Sequence, residues 1–161
     1  MRVEVKGNQD ACQELIDLFR SATHKFGVIS AEKGYQNAAD NSIRSAAMGL
    51  LLKQWGYADI YPAEGVFQGV TEASWLVTAE CSAGSVPLKE DMEAISKAFD
   101  QDSFIWHAPI LGKVWLANAA GRLASWSTVI IFDADNKPEG DYTWISNMGA
   151  GFQLLDIQWD R

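Results

Sequence analysis

The stretch Ser125-Trp126-Ser127-Thr128-Val129-Ile130-Ile131-Phe132 predicts a buried β-strand and sets the fold class of the second half of the chain. β-branched and aromatic residues dominate it, and such residues favour the pleated, packed surface of a sheet. Its continuous apolar run has the length of a strand and falls far short of the ~20 residues that a membrane-spanning helix needs. Four more strands, separated by turn residues, are predicted around it: Phe104 to His107, Lys113 to Asn118, Tyr142 to Ser146, and Phe152 to Trp159.

The last of these strands carries an irregularity. Phe152 and Leu154 alternate as expected for one face of a sheet, but Ile157 and Trp159 continue one step out of register. A shift of one residue moves side chains to the other face, so the pattern predicts a bulge or a bend in this strand.

Helical patterns are concentrated in the first hundred residues. Three helices are predicted, and the third has the clearest pattern because its apolar residues recur at spacings of four, three and four. Between the second and third helices, strands are predicted from Tyr57 to Tyr61, where Pro62 ends the pattern, and from Ser74 to Thr78. The first helix is predicted to start at Asp10, with Gln13 as a capping partner, and to end at Gly27. The second starts at Asn41 or Asp40 and ends at Gly56. The third starts at Pro87, has Phe99 as its last apolar residue, and is followed by a turn at Asp102-Ser103.

These patterns predict a single α+β domain over residues 1–161, with about three helices packed on a mainly antiparallel β-sheet. A chain of 161 residues has the length of one domain. Apolar residues make up 48% of it and charged residues 21%, which excludes wholesale disorder.

The charge balance narrows the classes of partner. Lysine and arginine number 13 and aspartate and glutamate 21, so the net charge is −8. A generic nucleic-acid binder needs a positive surface, and anionic membranes attract basic segments, so neither direct nucleic-acid binding nor membrane binding is expected. Cys12 and Cys81 are too few for a disulfide framework, and the N-terminus has no apolar signal core. The sequence therefore predicts reduced thiols, a cytoplasmic location, and no metal or cofactor.

Several short stretches of the chain follow one another in an order that is typical of a known family. They are Val28-Ile29-Ser30-Ala31, Asn37 and Asn41, Gln54-Trp55-Gly56-Tyr57, Pro62-Ala63-Glu64-Gly65, Gly69 and Glu72, and Ser74-Trp75-Leu76-Val77. On these stretches, residues 26–117 resemble a bacterial family catalogued as domain of unknown function 3293. At Ala98-Phe99-Asp100-Gln101 the family tends to have a Phe-Gly-Gln-like turn, so Asp100 departs from its pattern. The resemblance implies a compact α+β unit and implies no activity. The final segment, 118–161, lies outside the resemblance and is expected to form a C-terminal β extension.

Four residues are candidates for lining a ligand pocket. Glu64 and Glu72 are two carboxylates that could act as acid and base, beside small and kinked residues that let a backbone approach a ligand. Asn41 could add hydrogen bonds, and His107, at a strand end, could act as a base or a ligand. The structural alternatives are turn chemistry around Glu64, local pairing by Glu72, capping by Asn41, and a buried structural histidine.

A second set of candidates lies in the C-terminal extension. The acidic loop 133–141 begins like a calcium-binding loop, but Lys137 and Pro138 occupy positions that need a ligand and a glycine, so a solvated hairpin loop is expected. Its carboxylates, including Asp133 and Asp135, could instead contact a basic partner. Tryptophan is enriched at binding hot spots, and the best interface candidates among the seven tryptophans are Trp126 and Trp144, together with Trp159.

Three functions remain open from the sequence. The first is a small acidic, non-enzymatic binding protein that occupies a basic surface of a partner protein, in the manner of a phage or mobile-element inhibitor of a host nucleic-acid-binding protein. The second is a small-molecule or nucleotide-binding domain, and potentially an enzyme, with a pocket around Asn41, Glu64, Glu72 and His107. The third is a structural homodimer subunit that uses its terminal strands.

Overall fold

The computed structural model describes residues 1–82 and 84–160. Within them, three short 3₁₀ turns (Pro109–Leu111, Ala134–Asn136 and Ser146–Met148) accompany three α-helices and nine strands. These elements are, in chain order, β1 (Arg2–Lys6), α1 (Gln9–Arg20), β2 (His24–Ser30), α2 (Ala38–Gln54), β3 (Asp59–Phe67), β4 (Val70–Glu80), α3 (Leu88–Ala98), β5 (Phe104–His107), β6 (Val114–Asn118), β7 (Gly121–Asp133), β8 (Tyr142–Ile145) and β9 (Ala150–Trp159).

The strands close into a ring, which the sequence did not indicate. Eight of them follow one another as antiparallel neighbours in the order β7-β6-β5-β2-β4-β3-β8-β9, and β9 then pairs with β7. β1 adds to β7 as a parallel strand. The prediction of about three helices packed on an open, mainly antiparallel sheet was therefore wrong: the chain forms a closed, strand-dominated barrel with three helices. Hydrophobic alternation specifies which face of a strand is buried, but it does not specify which strand pairs with which.

The long strand β7 makes this closure possible. Its first half pairs with β6 and its second half with β1, while its other edge pairs with β9 along almost its whole length. The pair Ser127–Asp156 is missing from the ladder with β9, where Asp156 has a φ of 60°, but the register is the same on both sides of this gap. The gap lies between Leu154 and Ile157, where the apolar pattern predicts a bulge or a bend, and neither strand carries an extra residue there. The Asp156 carboxylate accepts a hydrogen bond of 2.6 Å from the Thr128 hydroxyl.

Helix α1 packs against the inner face of the closed sheet. Asn8 caps it, since the Asn8 side chain accepts a hydrogen bond from the backbone N–H of Ala11, so the predicted start at Asp10 was two residues late. The predicted end at Gly27 was also wrong, because the helix ends at Arg20 and Phe26 belongs to β2. The apolar side of α1 meets side chains from seven of the strands around the ring; the buried set is Cys12, Leu15, Ile16, Phe19, Phe26, Val28, Ala63, Leu76, Val114, Val129, Ile131, Ile145, Ala150 and Phe152.

Helices α2 and α3 cover part of the outer face. Side chains alternate along a strand, so Val28 of β2 points inward and the next residue, Ile29, points outward. The outer cluster is smaller and involves fewer strands than the inner one. Asn37, not Asn41 or Asp40, caps α2. The outer cluster comprises Ile29, Ala31, Met48, Leu52, Tyr57, Val77, Leu88, Met92, Ile95, Phe104 and Ala117.

Strand β3 runs through Pro62, where the sequence predicted its end. β8 pairs with β3 only from Glu64 to Val66, so the edge of β3 that faces β8 has no partner at Pro62. A proline lacks the N–H that a strand paired on both edges would use, and it is tolerated where one edge is free.

Gly151, in the closing strand β9, provides a test of the closure. An added Cβ would lie 2.5 Å from the carbonyl oxygen of Thr143 and 2.7 Å from Cζ of Phe132, in β8 and β7 respectively. Gly151→Ala is therefore expected to lower the free energy of unfolding by about 1–3 kcal/mol in urea denaturation, because neither neighbouring strand can give way. Gly34→Ala is the matched control: no heavy atom lies within 4 Å, and a change within about 0.5 kcal/mol is expected. Equal losses in the two variants would contradict the packing described for the closure.

Candidate functional site

Glu64 and Glu72 do not form a carboxylate pair. Glu64 lies opposite Ala73 in the β3–β4 ladder, and Glu72 lies opposite Gly65. Because consecutive residues in a strand point to opposite faces of the sheet, the two side chains point away from each other. The structure therefore does not bring them together as an acid and a base.

His107 is buried on the inner face, behind α1. Its side chain packs beside the rings of Phe19 and Phe26, at centroid distances of 6.2 and 5.2 Å, and only 3% of its surface is exposed. Its Nδ1–H donates a hydrogen bond of 2.7 Å to the carbonyl oxygen of Lys113. Burial lowers the pKa of His107, and the hydrogen bond to Lys113 partly offsets this effect. The positive charge of the N-terminal amino group lowers the pKa further. This placement is that of a neutral core histidine, and it is separated from Asn41 by the sheet.

Asn41 holds a loop in place. Its side-chain oxygen accepts a hydrogen bond of 2.9 Å from the backbone N–H of Lys33, and its amide donates one of 3.1 Å to the carbonyl of the same residue. Arg44, one helical turn later, donates to the carbonyls of Ala31 and Phe99. Asn41 therefore fixes the segment between β2 and α2 to the helix, and Arg44 links that segment to the turn after α3. In that turn Asp100 has a φ of 53°, a left-handed conformation that glycine adopts most readily.

The carboxylate of Asp133 fastens the end of β7 to the start of α1. Its Oδ2 accepts a hydrogen bond of 2.7 Å from the backbone N–H of Asn8. Its Oδ1 accepts from the side-chain amide of Asn136 at 2.7 Å and from the backbone N–H of Asp135 at 3.1 Å. The Asn136 amide, followed by the Asn8 N–H, lowers the pKa of Asp133. Both oxygens are thus occupied within the chain, whereas the Asp135 side chain is exposed.

Two of the three tryptophans predicted as interface anchors, Trp126 and Trp144, are half-buried. The ring of Trp144 stacks on Phe132 at a centroid distance of 6.0 Å, and the Lys137 ammonium lies 4.3 Å from its centroid. Trp126 packs against the inner core. Trp159, by contrast, is 64% exposed.

A groove that the sequence analysis did not identify lies beside α1. It has a volume of about 270 Å³ and is formed by α1, the first residues of β2 and β3, the end of β4 and the turn before β9. Its walls carry three exposed carboxylates, and its floor combines aliphatic, aromatic and thioether side chains. Among the residues that the structure describes, no lysine or arginine lines it. The lining residues are Glu14, Asp17, Leu18, Ser21, His24, Asp59, Tyr61, Thr78 and Met148. We refer to this feature as the acidic groove.

Two carboxylates of the acidic groove raise the pKa of the Tyr61 hydroxyl. The pKa of Tyr61 is raised chiefly by burial, and further by the negative charges of Asp59 and Glu14. Glu14 of α1 and Asp59 of β3 are 45 positions apart in the sequence, yet both contribute negative potential at the same place in the groove. A cationic side chain with an aliphatic stem matches this arrangement, because its stem can lie on the apolar floor while its charge meets the carboxylates.

A larger cavity, of about 530 Å³, lies beside the turn after α3. Its lining mixes charges, with Lys97 beside Asp100 and Asp102, and otherwise consists of small and polar residues. Neither cavity is lined by Asn41, Glu64, Glu72 or His107. In the described part of the chain, no group of three or more histidine, cysteine, aspartate or glutamate residues is arranged to hold a metal ion.

Comparison of the chain with protein-family models and with curated proteins gives no match. Membership of the family that residues 26–117 resemble accordingly stays a prediction. Among the described residues, no helix has the length and apolar character that crossing a membrane requires.

The buried His107 should make stability depend on pH. Because folding lowers its pKa, the unfolded chain binds a proton more readily than the folded one. The free energy of unfolding should therefore fall as the pH drops below about 6.5, with a slope of at most about 1.4 kcal/mol per pH unit from this residue. Urea denaturation between pH 5 and 7.5 measures this slope, which His107→Gln should reduce. An unchanged slope in the variant would assign the dependence to other groups.

The bonds to Asp133 predict a second effect on stability. Asparagine offers one acceptor oxygen where the carboxylate offers two, so Asp133→Asn should lower the urea midpoint at pH 7, whereas Asp135→Asn should leave it unchanged. The lowered pKa of Asp133 means that its contribution is present above about pH 4 and is lost as the pH falls through its folded-state pKa. The difference in urea midpoint between wild type and Asp133→Asn should accordingly be smaller at pH 3 than at pH 7. Equal midpoints for Asp133→Asn and Asp135→Asn at pH 7 would show that the hydrogen bonds of Asp133 do not stabilise the fold.

Proposed function

We propose that this chain is a non-enzymatic binding protein that docks onto a basic surface of a partner protein through the acidic groove. The carrying observation is the groove's combination of three carboxylates (Glu14, Asp17 and Asp59) with an apolar floor and, within residues 1–82 and 84–160, no lysine or arginine in its lining. An arginine or lysine of the partner would place its aliphatic stem against Leu18 and Met148 and its charge between the carboxylates.

The aromatic ring of Tyr61 adds a second favourable contact. A cation over an aromatic face gains electrostatic energy, and the gain is larger in partly desolvated sites. Tyr61 is half-buried within the groove, so a bound cation would be shielded from water on that side. Contacts of this kind slow the dissociation of a bound partner. The net charge of −8 accelerates the association with a basic partner.

The sequence predicts the contact at the 133–141 loop and at Trp126, Trp144 and Trp159. Asp133 already uses both carboxylate oxygens inside the chain, and Trp126 and Trp144 are packed against neighbours, whereas Asp135 and Trp159 are exposed. The acidic groove is the better location because its carboxylates are exposed and converge on one concavity. Occupation of a nucleic-acid-binding surface of a host protein, as by a phage or mobile-element inhibitor, is the specific form of this proposal.

The four-residue pocket of the small-molecule hypothesis has less support. Its residues lie on opposite faces of the sheet, and His107 is enclosed by aromatic rings. No observation on the described residues favours an enzymatic role over binding.

Two variants of equal charge test the proposal. The groove variant combines Glu14→Gln, Asp17→Asn and Asp59→Asn; the control combines Glu90→Gln, Asp135→Asn and Glu139→Gln at exposed positions elsewhere. Each removes three negative charges, so −8 becomes −5 in both. Affinity capture from the native host with wild-type protein identifies the partner, and its binding to each variant is then measured at 50 and 300 mM salt.

The groove variant is expected to weaken binding by at least about tenfold and to flatten its salt dependence, while the control retains most of the affinity. If the partner binds nucleic acid, DNA or RNA should compete with wild-type protein for it. Equal weakening in the two variants would show that only total charge matters and would overturn the assignment to the groove. Binding that is insensitive to salt would overturn the electrostatic mode itself.

A further inference from the structure

Helix α2 has an apolar face that no other part of the described chain covers. Its buried side, with Met48, Gly49 and Leu52, packs on the outer face of the sheet. On the opposite side Ile43 and Leu50 are 68% and 62% exposed. An amphipathic helix normally has a polar outer side, so an apolar stripe on both sides indicates a surface with a partner.

The outer face of α2 is symmetric about its own midpoint. Ala46 and Ala47 lie at the centre and are both exposed. Ile43 and Leu50 lie at equal distances on either side of this centre, and Asp40 and Lys53 lie further out, again at equal distances. A second copy of the helix in antiparallel orientation therefore sets Ile43 against Leu50 and brings the carboxylate of Asp40 to the level of the ammonium of Lys53. The small side chains at the centre allow the two helix axes to approach closely.

Charge distinguishes a second copy from other partners. Two chains of net charge −8 repel each other, but on the outer face of α2 the cation Lys53 balances the carboxylate of Asp40. Arg44 adds a further positive charge to the helix, although its guanidinium is bonded to the carbonyls of Ala31 and Phe99. α2 is the only one of the three helices whose own residues sum to a positive charge. Neither Asp40 nor Lys53 forms a salt bridge within residues 1–82 and 84–160. Antiparallel pairing also places the helix N-terminus of each copy beside the C-terminus of the other, which is favourable for the two helix dipoles.

We propose that α2 is a self-association face through which two copies of this chain pair antiparallel about a two-fold axis between Ala46 and Ala47. The proposal is independent of the acidic groove, because α1 and α2 pack on opposite faces of the sheet. A helix of 17 residues is about 25 Å long. One helix pair covers less than the ~800 Å² per partner of a standard interface, so the dimer is weak and depends on concentration.

Sedimentation equilibrium from 5 µM to about 1 mM is the first measurement. Wild-type protein is expected to shift from monomer to dimer over this range. Leu50→Glu should raise the dissociation constant at least about tenfold, since a two-fold interface carries each change twice. Ile110→Glu is the matched control, because Ile110 is 93% exposed and lies outside α2; it should leave association unchanged. A wild-type protein that stays monomeric throughout, or equal effects of the two variants, would overturn the proposal.

Charge exchange tests the orientation of the helices. In Asp40→Lys both end positions of α2 are positive, and in Lys53→Asp both are negative, so each variant alone should associate more weakly than wild type. In an equimolar mixture every end contact is again between opposite charges, and the dimer should reappear as a hetero-dimer. Circular dichroism of each variant verifies that α2 is retained. Failure of the mixture to associate more strongly than either variant alone would exclude the antiparallel arrangement.

Discussion

Pairing between β7 and β9 is the constraint on which the rest of the structure depends. It turns a run of antiparallel neighbours into a closed ring, and a closed ring has an inner face that must be filled. Helix α1 contributes its apolar side to that face, and Asp133, at the end of β7, accepts a hydrogen bond from Asn8 at the start of the same helix. The pairing therefore fixes where α1 enters, and it leaves the exposed acidic side of α1 beside the first residues of β3.

The sequence predicts the individual helices and strands better than it predicts the closure of the strands into a ring. All three helices and the C-terminal strands were located from periodicity, because packing on one face leaves a repeating pattern in the residues. The boundaries of α1 were less well predicted: Phe26 continues the helical spacing by coincidence, yet it lies in β2 and packs against Phe19 at a centroid distance of 4.9 Å. The sequence predicted that β3 ends at Pro62, because a proline cannot donate a hydrogen bond to a neighbouring strand. One edge of β3 is free at Pro62, but this follows from the register of β8, which the sequence around Pro62 does not show. Strand partners are determined by contacts between distant residues, and such contacts leave no local pattern.

The same reasoning explains the outcome for the candidate sites. Glu64 and Glu72 are close along the chain, but the two-residue period of a strand puts them on opposite faces. Glu14, Asp17 and Asp59 have no motif in common and are brought together only by the packing of α1 over β3. Asn41, predicted as a residue that binds a ligand, hydrogen-bonds to Lys33 and positions a loop. Charge could be counted in the sequence, whereas the convergence of charges required the fold.

The two proposed surfaces have consequences for each other. The acidic groove lies with α1 on one side of the sheet and the self-association face lies with α2 on the other, so a dimer formed through α2 leaves both grooves free. Such a dimer presents two copies of the acidic groove. A partner with two basic sites at matching separation would then be held by avidity, since the second contact forms at a high effective concentration. A weak dimer and a modest single-site affinity are sufficient for firm binding under these conditions, and the self-repulsion of a chain with a charge of −8 limits further aggregation.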